Sequence, residues 1–344
     1  METQHRIHVA DAREMAALDD GAAELVVTSP PYPMIEMWDD LFADLDSEVA
    51  DALASDDGEA AFEAMHDALA PVWDELGRVL VDGGIAAINV GDATRSVGDR
   101  FRLFPNHAEL VDRLRERGFD LLPDVLWRKP VNSHAKFMGS GMVPPNAYPT
   151  LEHEYVLLFR NGPESREFAT GADRRYEAAY FWEERNRWFS DLWTGVQGET
   201  QALGHGDLRE RSGAFPVEVP YRLINMYSVY GDTVLDPFWG TGTTSLAAMV
   251  AGRNSVGYEL DPEFREVFDD RLAGVESLAD RRNRARLADH REFAAGESDL
   301  GYEAEHYDFR VKTRQERELR LYTVADWRRE GDRYVVDHRP FDGA

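Results

Sequence analysis

Short apolar runs at residues 7–10 and 25–28 each lead into a polar loop and predict two strands. Residues 36–70 are acidic and alanine-rich, and their spacing predicts helices around a break at Asp56-Asp57-Gly58. A helix over 60–80 is turned by Gly83-Gly84 into the β-branched run 85–90. Asn106 is placed to cap a helix running through Arg117, with Gly118 just past its end. Residues 121–127 and 155–159 are strand-like, and 130–150, rich in Gly, Pro, Asn and Ser, form a loop. Residues 161–214 are irregular. After them come a helix over 217–229, a strand at 233–235, a helix over 243–251 and a strand at 255–258. Strands alternating with helices predict an α/β fold with a mostly parallel sheet. From about 273 the chain becomes charged helix, and apolar runs at 307–311, 319–324 and 334–338 predict a small appended β unit. No internal repeat is present.

Composition narrows this picture. The 344 residues suit one large domain or two modest ones. Cysteine is absent, which removes disulfides, thiolate zinc sites and any cysteine nucleophile. Asp plus Glu number 65 against 38 Lys plus Arg, a net charge of −27, and only Lys129, Lys136 and Lys312 are lysines. A carboxylate-rich, lysine-poor surface fits a halophilic protein, because self-repulsion is screened in concentrated salt. No stretch approaches the ~18 apolar residues of a membrane span. The N-terminus lacks a basic-then-apolar signal pattern, so the expected location is cytoplasmic. Charge is uneven. Residues 1–75 hold twenty acids and two bases, whereas 121–211 hold thirteen and eleven, and 281–320 nine and ten. A polyanion is tolerated better against the two later segments.

Two motifs carry chemistry. Asp236-Pro237-Phe238-Trp239-Gly240-Thr241-Gly242-Thr243-Thr244 lies between a strand and a helix, and Glu259 ends the next strand twenty-three residues after Asp236. Glycines in a strand-to-helix turn let a ligand approach the backbone, and an acid at the end of the next strand hydrogen-bonds a ribose diol. No Gly-Lys-Ser/Thr follows, so this is not a P-loop. Ser245 stands where a dinucleotide fingerprint has its third glycine. An acid opening the loop suits a cationic ligand rather than a pyrophosphate. S-adenosylmethionine, with a sulfonium, an ammonium and no phosphate, has that character. The second motif, Thr28-Ser29-Pro30-Pro31-Tyr32, follows a short apolar strand. The exocyclic amine of a base is a poor nucleophile because its lone pair is delocalised into the ring. Ser29 Oγ and the Pro30 carbonyl are acceptors that localise it, two prolines stiffen the loop, and Tyr32 offers a face to a flipped base.

On these residues the chain resembles the amino-group DNA methyltransferases that modify N4 of cytosine or N6 of adenine. Asp236, Pro237, Phe238, Gly240, Thr241, Gly242, Thr243 and Thr244 match their cofactor motif, with Glu259 and Asp261 at the ribose. Asp11 matches the acid facing the adenine of the cofactor. Ser29 to Tyr32, with Thr28 before them, match the catalytic motif. Phe215-Pro216 and the helix after them resemble the segment that closes over the methionine moiety. The catalytic motif precedes the cofactor motif, the permuted order of the beta class. The resemblance implies a Rossmann-like S-adenosylmethionine-dependent methyltransferase fold. Its mostly parallel seven-stranded sheet would be built by residues 1–162 and 213–272, interrupted by a target-recognition insert over 163–212 and followed by a C-terminal extension over 273–344. Serine where adenine enzymes usually carry aspartate is similar to the cytosine-N4 subgroup. The acidic, lysine-poor chain further resembles haloarchaeal methylases of the CTAG type. Double-stranded DNA is the implied partner and a cognate restriction endonuclease a candidate one; no membrane and no metal are implied.

Absence of cysteine excludes carbon-5 cytosine methylation, which needs a thiolate adduct. Adenine N6 methylation and a non-catalytic DNA-binding regulator of the same fold stay open. Methylation of a protein amide or RNA fits neither the serine nor the motif order. Lys129 and Lys136 precede a flexible loop, Phe137-Met138-Gly139-Ser140-Gly141, as its neighbours and are candidate phosphate contacts, as Arg185 and Arg187 are for guanine edges or phosphates. The aromatic cluster at 176–193 reads as a small core. His153 between Glu152 and Glu154 lacks a second ligand pair for a metal. Asn89, Gly91 and Asp92 end a strand beside the expected pocket and shape it.

Overall fold

The computed structural model describes residues 1–129, 138–139, 143–169, 172–196 and 215–343. Eleven strands build the main sheet: β1 (Glu2–Val9), β2 (Ala23–Thr28), β3 (Leu80–Val90), β4 (Phe119–Leu121), β5 (Val125–Arg128), β6 (His153–Asn161), β7 (Leu192–Trp193), β8 (Thr233–Asp236), β9 (Asn254–Glu259), β10 (Tyr322–Glu330) and β11 (Arg333–Pro340). Their spatial order is β7-β5-β6-β3-β2-β8-β9-β1-β11-β10, with β4 beside β6. The run β3-β2-β8-β9-β1 is parallel throughout. Antiparallel β6 on β3, then β5 on β6, complete seven strands of which only β6 runs backwards. This is the mostly parallel α/β sheet that the alternating pattern predicts.

Ten helices are used below: α1 (Asp39–Leu45), α2 (Ser47–Ala54), α3 (Gly58–Val79), α4 (Asn106–Glu116), α5 (Asp173–Glu177), α6 (Trp182–Trp188), α7 (Glu218–Tyr227), α8 (Thr243–Ala251), α9 (Phe264–Leu272) and α10 (Val275–Gly296). Successive residues of a strand face opposite ways, so β2 feeds two cores. Leu25 and Val27 point into the one built with α7, α8 and α9, and Val26 into the one built with α3 and α4. All nine residues of α8 are buried, which its sequence, almost without charge or a polar stripe, requires. The outer side of α8 is covered by α10 and β10.

Three local expectations are corrected. The strand after α3 starts at Leu80, and Gly83-Gly84 lie within it, at an irregularity where Leu80 faces Ala23 and Ile85 faces Leu25. Asn106 is not the cap of α4. Pro105 holds that position and Asp92 accepts from the His107 N–H at 3.1 Å, while the Asn106 side chain turns inward. The last two tail strands join the main sheet instead of an appended unit: β11 pairs antiparallel with β1, and β10 with β11, so the tail closes what would be an open edge of the parallel sheet. Within 307–311 only Arg310–Val311 is a strand, paired with Tyr302–Glu303. Met138–Gly139 pairs with Ala147–Tyr148. Lys136, Phe137, Ser140 and Gly141 lie outside the described residues, as do 170–171 and 197–212 of the expected insert.

Candidate active site

Strands β2 and β8 lie side by side, Leu25 opposite Val234 and Val26 opposite Leu235, so the loops that follow them emerge together at one sheet edge. On the other side of β8, β9 brings Glu259 level with Val9 of β1, and the Ala10 N–H donates to the Glu259 carbonyl at 3.0 Å. One cleft of about 900 Å³ results. Ser29, Pro30, Pro31 and Tyr32 form part of its wall. Asp236, Pro237, Phe238, Gly240, Thr241, Thr243 and Thr244 form another, and Asp11, Glu259, Asp261, Phe215 and Lys129 also line it. Thr28, Pro216 and Gly242 do not.

Asp236 is buried, and accepts from the Thr28 hydroxyl at 2.6 Å and the Phe238 N–H at 3.1 Å. Burial pushes its carboxyl up to about 6, against the bonds from Thr28, Thr244 and Phe238 that favour the charged form. No arginine or lysine among the described residues pairs with it. A buried acid without a cation, at the wall of a cleft, suits a ligand that brings a positive charge. Glu259 takes the Gly240 N–H at 2.8 Å and the Asp261 N–H at 2.9 Å, which fixes its carboxylate at the rim. Its carboxyl is also raised by burial, against the backbone bonds from Asp261 and Gly240. Asp11 is opposite in character. Burial works against its charge, but Arg13 bonds it through its N–H (2.8 Å) and Nε (2.9 Å) and holds the carboxyl below its usual range. These acids and the glycine turn fit a ribose diol and a cationic tail.

The loop is shaped from beneath by Trp239. A Cβ on Gly257 would meet the Trp239 ring at 2.2 Å, and one on Gly242 would meet Phe268 at 2.3 Å and Trp239 at 2.7 Å. Gly242 therefore serves the seating of Trp239 and α9, not ligand approach. Gly240 does line the cleft, with nothing nearer than 3.9 Å to its Cβ position. Arg271, on α9, donates to the Thr241 carbonyl at 2.7 Å and to the Thr241 and Thr243 hydroxyls at 2.9 Å. The contiguous motif gives no sign of that arginine.

The catalytic-motif loop is braced by side chains from distant strands. Tyr32 Oη lies 3.0 Å from Ser29 Oγ, accepts from Asn89 Nδ2 at 2.8 Å and donates to Glu154 at 3.1 Å. Lys129 Nζ bonds the other Glu154 oxygen. Burial, and then the Glu154 carboxylate beside it, keep the Tyr32 phenol protonated far above its usual range. Asn106 Nδ2 donates to the Pro33 and Gly91 carbonyls, both at 3.0 Å, tying the loop to the end of β3. His66, buried and held neutral with its ring lowered to about 3 by burial and Arg113, bonds the Asn106 oxygen at 3.1 Å.

Arg185 and Arg187 are on α6, off the cleft. Arg187 pairs with Asp289 of α10 at 3.0 Å, and the Arg185 guanidinium lies over the Phe189 ring. Phe181, Trp188 and Trp193 of the aromatic cluster are buried, and Trp182 and Phe189 partly exposed. Asn89, Gly91 and Asp92 all act beside the pocket: Asn89 on Tyr32, Asp92 on α4, and Gly91 by leaving room for the Tyr32 ring.

The family model of the N6/N4 DNA methylases matches residues 23–270. The chain belongs to that family. It is a DNA methyltransferase whose curated relatives include the type II methyltransferase M.MthZI of Methanothermobacter thermautotrophicus, 50% identical over 326 residues that cover 94% of this chain and 91% of the relative. M.MjaI of Methanocaldococcus jannaschii is 47% identical over 281 residues, 78% of this chain and 91% of that one. Among solved structures, TTHA0409 of Thermus thermophilus complexed with S-adenosyl-L-methionine is 33% identical at a TM-score of 0.61, covering 79% of the methylase and 94% of the neighbour. The cytosine-N4-specific PvuII DNA methyltransferase, 18% identical at a TM-score of 0.52 over 81% of this chain and 92% of its own, shares the fold.

Proposed function

We propose that the methylase transfers a methyl group from S-adenosylmethionine to the N4 amine of a cytosine flipped out of duplex DNA. The observation that carries this reading is the 2.6 Å bond from Thr28 to Asp236, which ties the catalytic-motif strand to the acid of the cofactor loop in one cleft. A neighbour 33% identical binds the same cofactor, and the acids at Asp236, Glu259 and Asp11 suit its ammonium, ribose and adenine. When bound, S-adenosylmethionine supplies an electrophilic methyl carbon, so that the amine N–C bond forms as the C–S bond breaks. Ser29 Oγ and the Pro30 carbonyl accept from the amine and turn its lone pair toward that carbon. Tyr32 stacks on the base, and the surplus amine proton leaves to water. The chain's main contribution is orientation of two reactants.

Serine rather than aspartate at position 29 supports cytosine over adenine, and CTAG is the candidate target. Lys129, Lys136, Arg185 and Arg187 are assigned to the DNA side. The acid-rich surface fits work in concentrated salt in the cytoplasm, and a partner endonuclease fits the type II relatives. Purified methylase, tritiated cofactor and unmethylated plasmid test the reading: label appears in N4-methylcytosine on nucleoside mass spectrometry, within CTAG on single-molecule sequencing. Ser29→Ala reduces labelling at least about 100-fold. Label in N6-methyladenine would transfer the assignment to adenine, and full labelling by Ser29→Ala would remove the mechanism.

A further inference from the structure

Tyr32 Oη has one proton and two lone pairs. It gives the proton to Glu154 Oε2 at 3.1 Å and accepts from Asn89 Nδ2 at 2.8 Å. Its third contact, Ser29 Oγ at 3.0 Å, is then necessarily a donation from the serine. The single Ser29 proton points at Tyr32, and both serine lone pairs stay available on the cleft side. The direction of this chain is set at its far end. Glu154 is a pure acceptor, its side chain 12% exposed, with Asn89 Nδ2 on Oε2 at 2.6 Å and Lys129 Nζ on Oε1. Glu154 itself lines the cleft, but its Oε2 already accepts from Tyr32 and Asn89 and its Oε1 from Lys129, so its route to the serine hydroxyl runs through Tyr32. Gly91 lets the pair close up: a Cβ there would stand 3.1 Å from Tyr32 Cε2 and 3.2 Å from Glu154 Cγ.

We propose that Glu154 is a positioning residue which, through Tyr32, turns the Ser29 hydroxyl so that it can only accept from the substrate amine. The proposal rests on the reading of Ser29 as amine acceptor. With a carboxamide at 154, one of its two sides must direct N–H. Facing Lys129 that is repulsive; facing Tyr32 it also opposes the Asn89 N–H that Oε2 accepts in the native chain, and it donates to the phenol, whose proton swings to Ser29, so that the serine proton turns into the cleft, where it repels the amine hydrogens.

The test is a double-mutant cycle on the full chain with unmethylated bacterial genomic DNA, alongside calorimetric titration with S-adenosylmethionine. Glu154→Gln is expected to lower kcat about 30-fold while the cofactor Kd stays within about twofold. In the Tyr32→Phe background, where the relay is already cut, Glu154→Gln changes kcat by less than about threefold. Full kcat in Glu154→Gln, or an equal loss in both backgrounds, overturns the proposal. Should Glu154→Gln fail to fold by circular dichroism, Tyr32→Phe carries the test alone. It keeps the stacking ring and deletes the hydroxyl, so a kcat loss with unchanged cofactor Kd supports the relay and full kcat overturns it. Ser29→Ala separates the two levels. If it is inactive while Glu154→Gln is fully active, only this proposal fails; if it is active, the underlying reading fails.

Discussion

The two loops that meet at the sheet edge are held in opposite ways. The loop after β8 is shaped mainly by its neighbours in sequence, with Thr28 and Arg271 as the distant additions: Trp239 tucks under it, Gly242 and Gly257 leave room for the ring, and Ser245 takes the Trp239 N–H at 2.9 Å. The loop after β2 owes its shape to Asn89, Asn106 and Glu154, which come from β3, α4 and β6. A cofactor site needs a fixed backbone shape, which glycine and aromatic packing supply locally. An acceptor for an amine needs a fixed proton direction, which requires a polar network, and such networks are assembled across a fold.

The sharpest way to break this comparison is at the two glycines of the cofactor loop. Gly242 has φ +73° and its Cβ would stand 2.3 Å from Phe268. Gly242→Ala is expected to cost about 2–4 kcal/mol of stability, from strain and overpacking together. Gly240 has φ +51° and open space, so Gly240→Ala is expected to cost only about 1 kcal/mol while weakening cofactor binding. Urea unfolding and cofactor titration read the two effects separately. Equal destabilisation by both would mean that the glycines share one role.

The same contrast explains what can be read in the sequence. The cofactor loop and the helix over 243–251 are legible because the glycines, Trp239 and Glu259 lie within about twenty residues of one another, whereas Arg271 and Thr28, which bond Thr241 and Asp236, lie further off and leave no local sign. The helix bounds agree with the pattern because its apolar residues cover all sides and Gly252, at φ +70°, ends it. Asn106 reads as a cap because a cap signal is local, whereas the partners that claim its amide, Pro33 and Gly91, are not. Glu154 reads only as a neighbour of His153 without a metal, and nothing in one chain without its fold links it to Tyr32, 122 residues earlier. The tail's pairing with β1 is hidden likewise: Val336 lies opposite Thr3, and the alternation of β11 reads the same whether its partner is local or at the other end of the chain.

A second way to sharpen the comparison uses proton occupancy. The Asp236 carboxyl sits up at about 6 because burial disfavours its charge, so between its ordinary range and pH 6 it holds a proton that an exposed aspartate has released. A cationic ligand binds the charged form. S-adenosylmethionine affinity is therefore expected to fall as pH drops through about 6, approaching tenfold per pH unit below it, and to level off above about 7. Thr28→Val removes one bond that favours the charge and moves the inflection to higher pH. Calorimetric titration from pH 5 to 8 checks both, and a flat profile would mean that Asp236 does not face the cation.

The smallest expected effect separates two arginine pairs that join the segment before α7 to the tail helix α10. Arg286 bonds Glu184 through two contacts, at 2.6 and 2.8 Å, with both side chains buried. That carboxylate also takes the Phe181 N–H at 2.9 Å, so the pair is structural and closed to a phosphate. Arg187 pairs with Asp289 at 3.0 Å, and the two side chains are 47% and 44% exposed. An ion pair so exposed is worth at most about 1 kcal/mol, so a DNA phosphate can replace Asp289 at little cost. Arg187→Ala is expected to change stability by less than about 0.5 kcal/mol and to lower the slope of log Kd for duplex DNA against log salt by about one. Filter binding across a salt series reads that slope. An unchanged slope would take α6 off the DNA face and leave the phosphate contacts to Lys129 and Lys136.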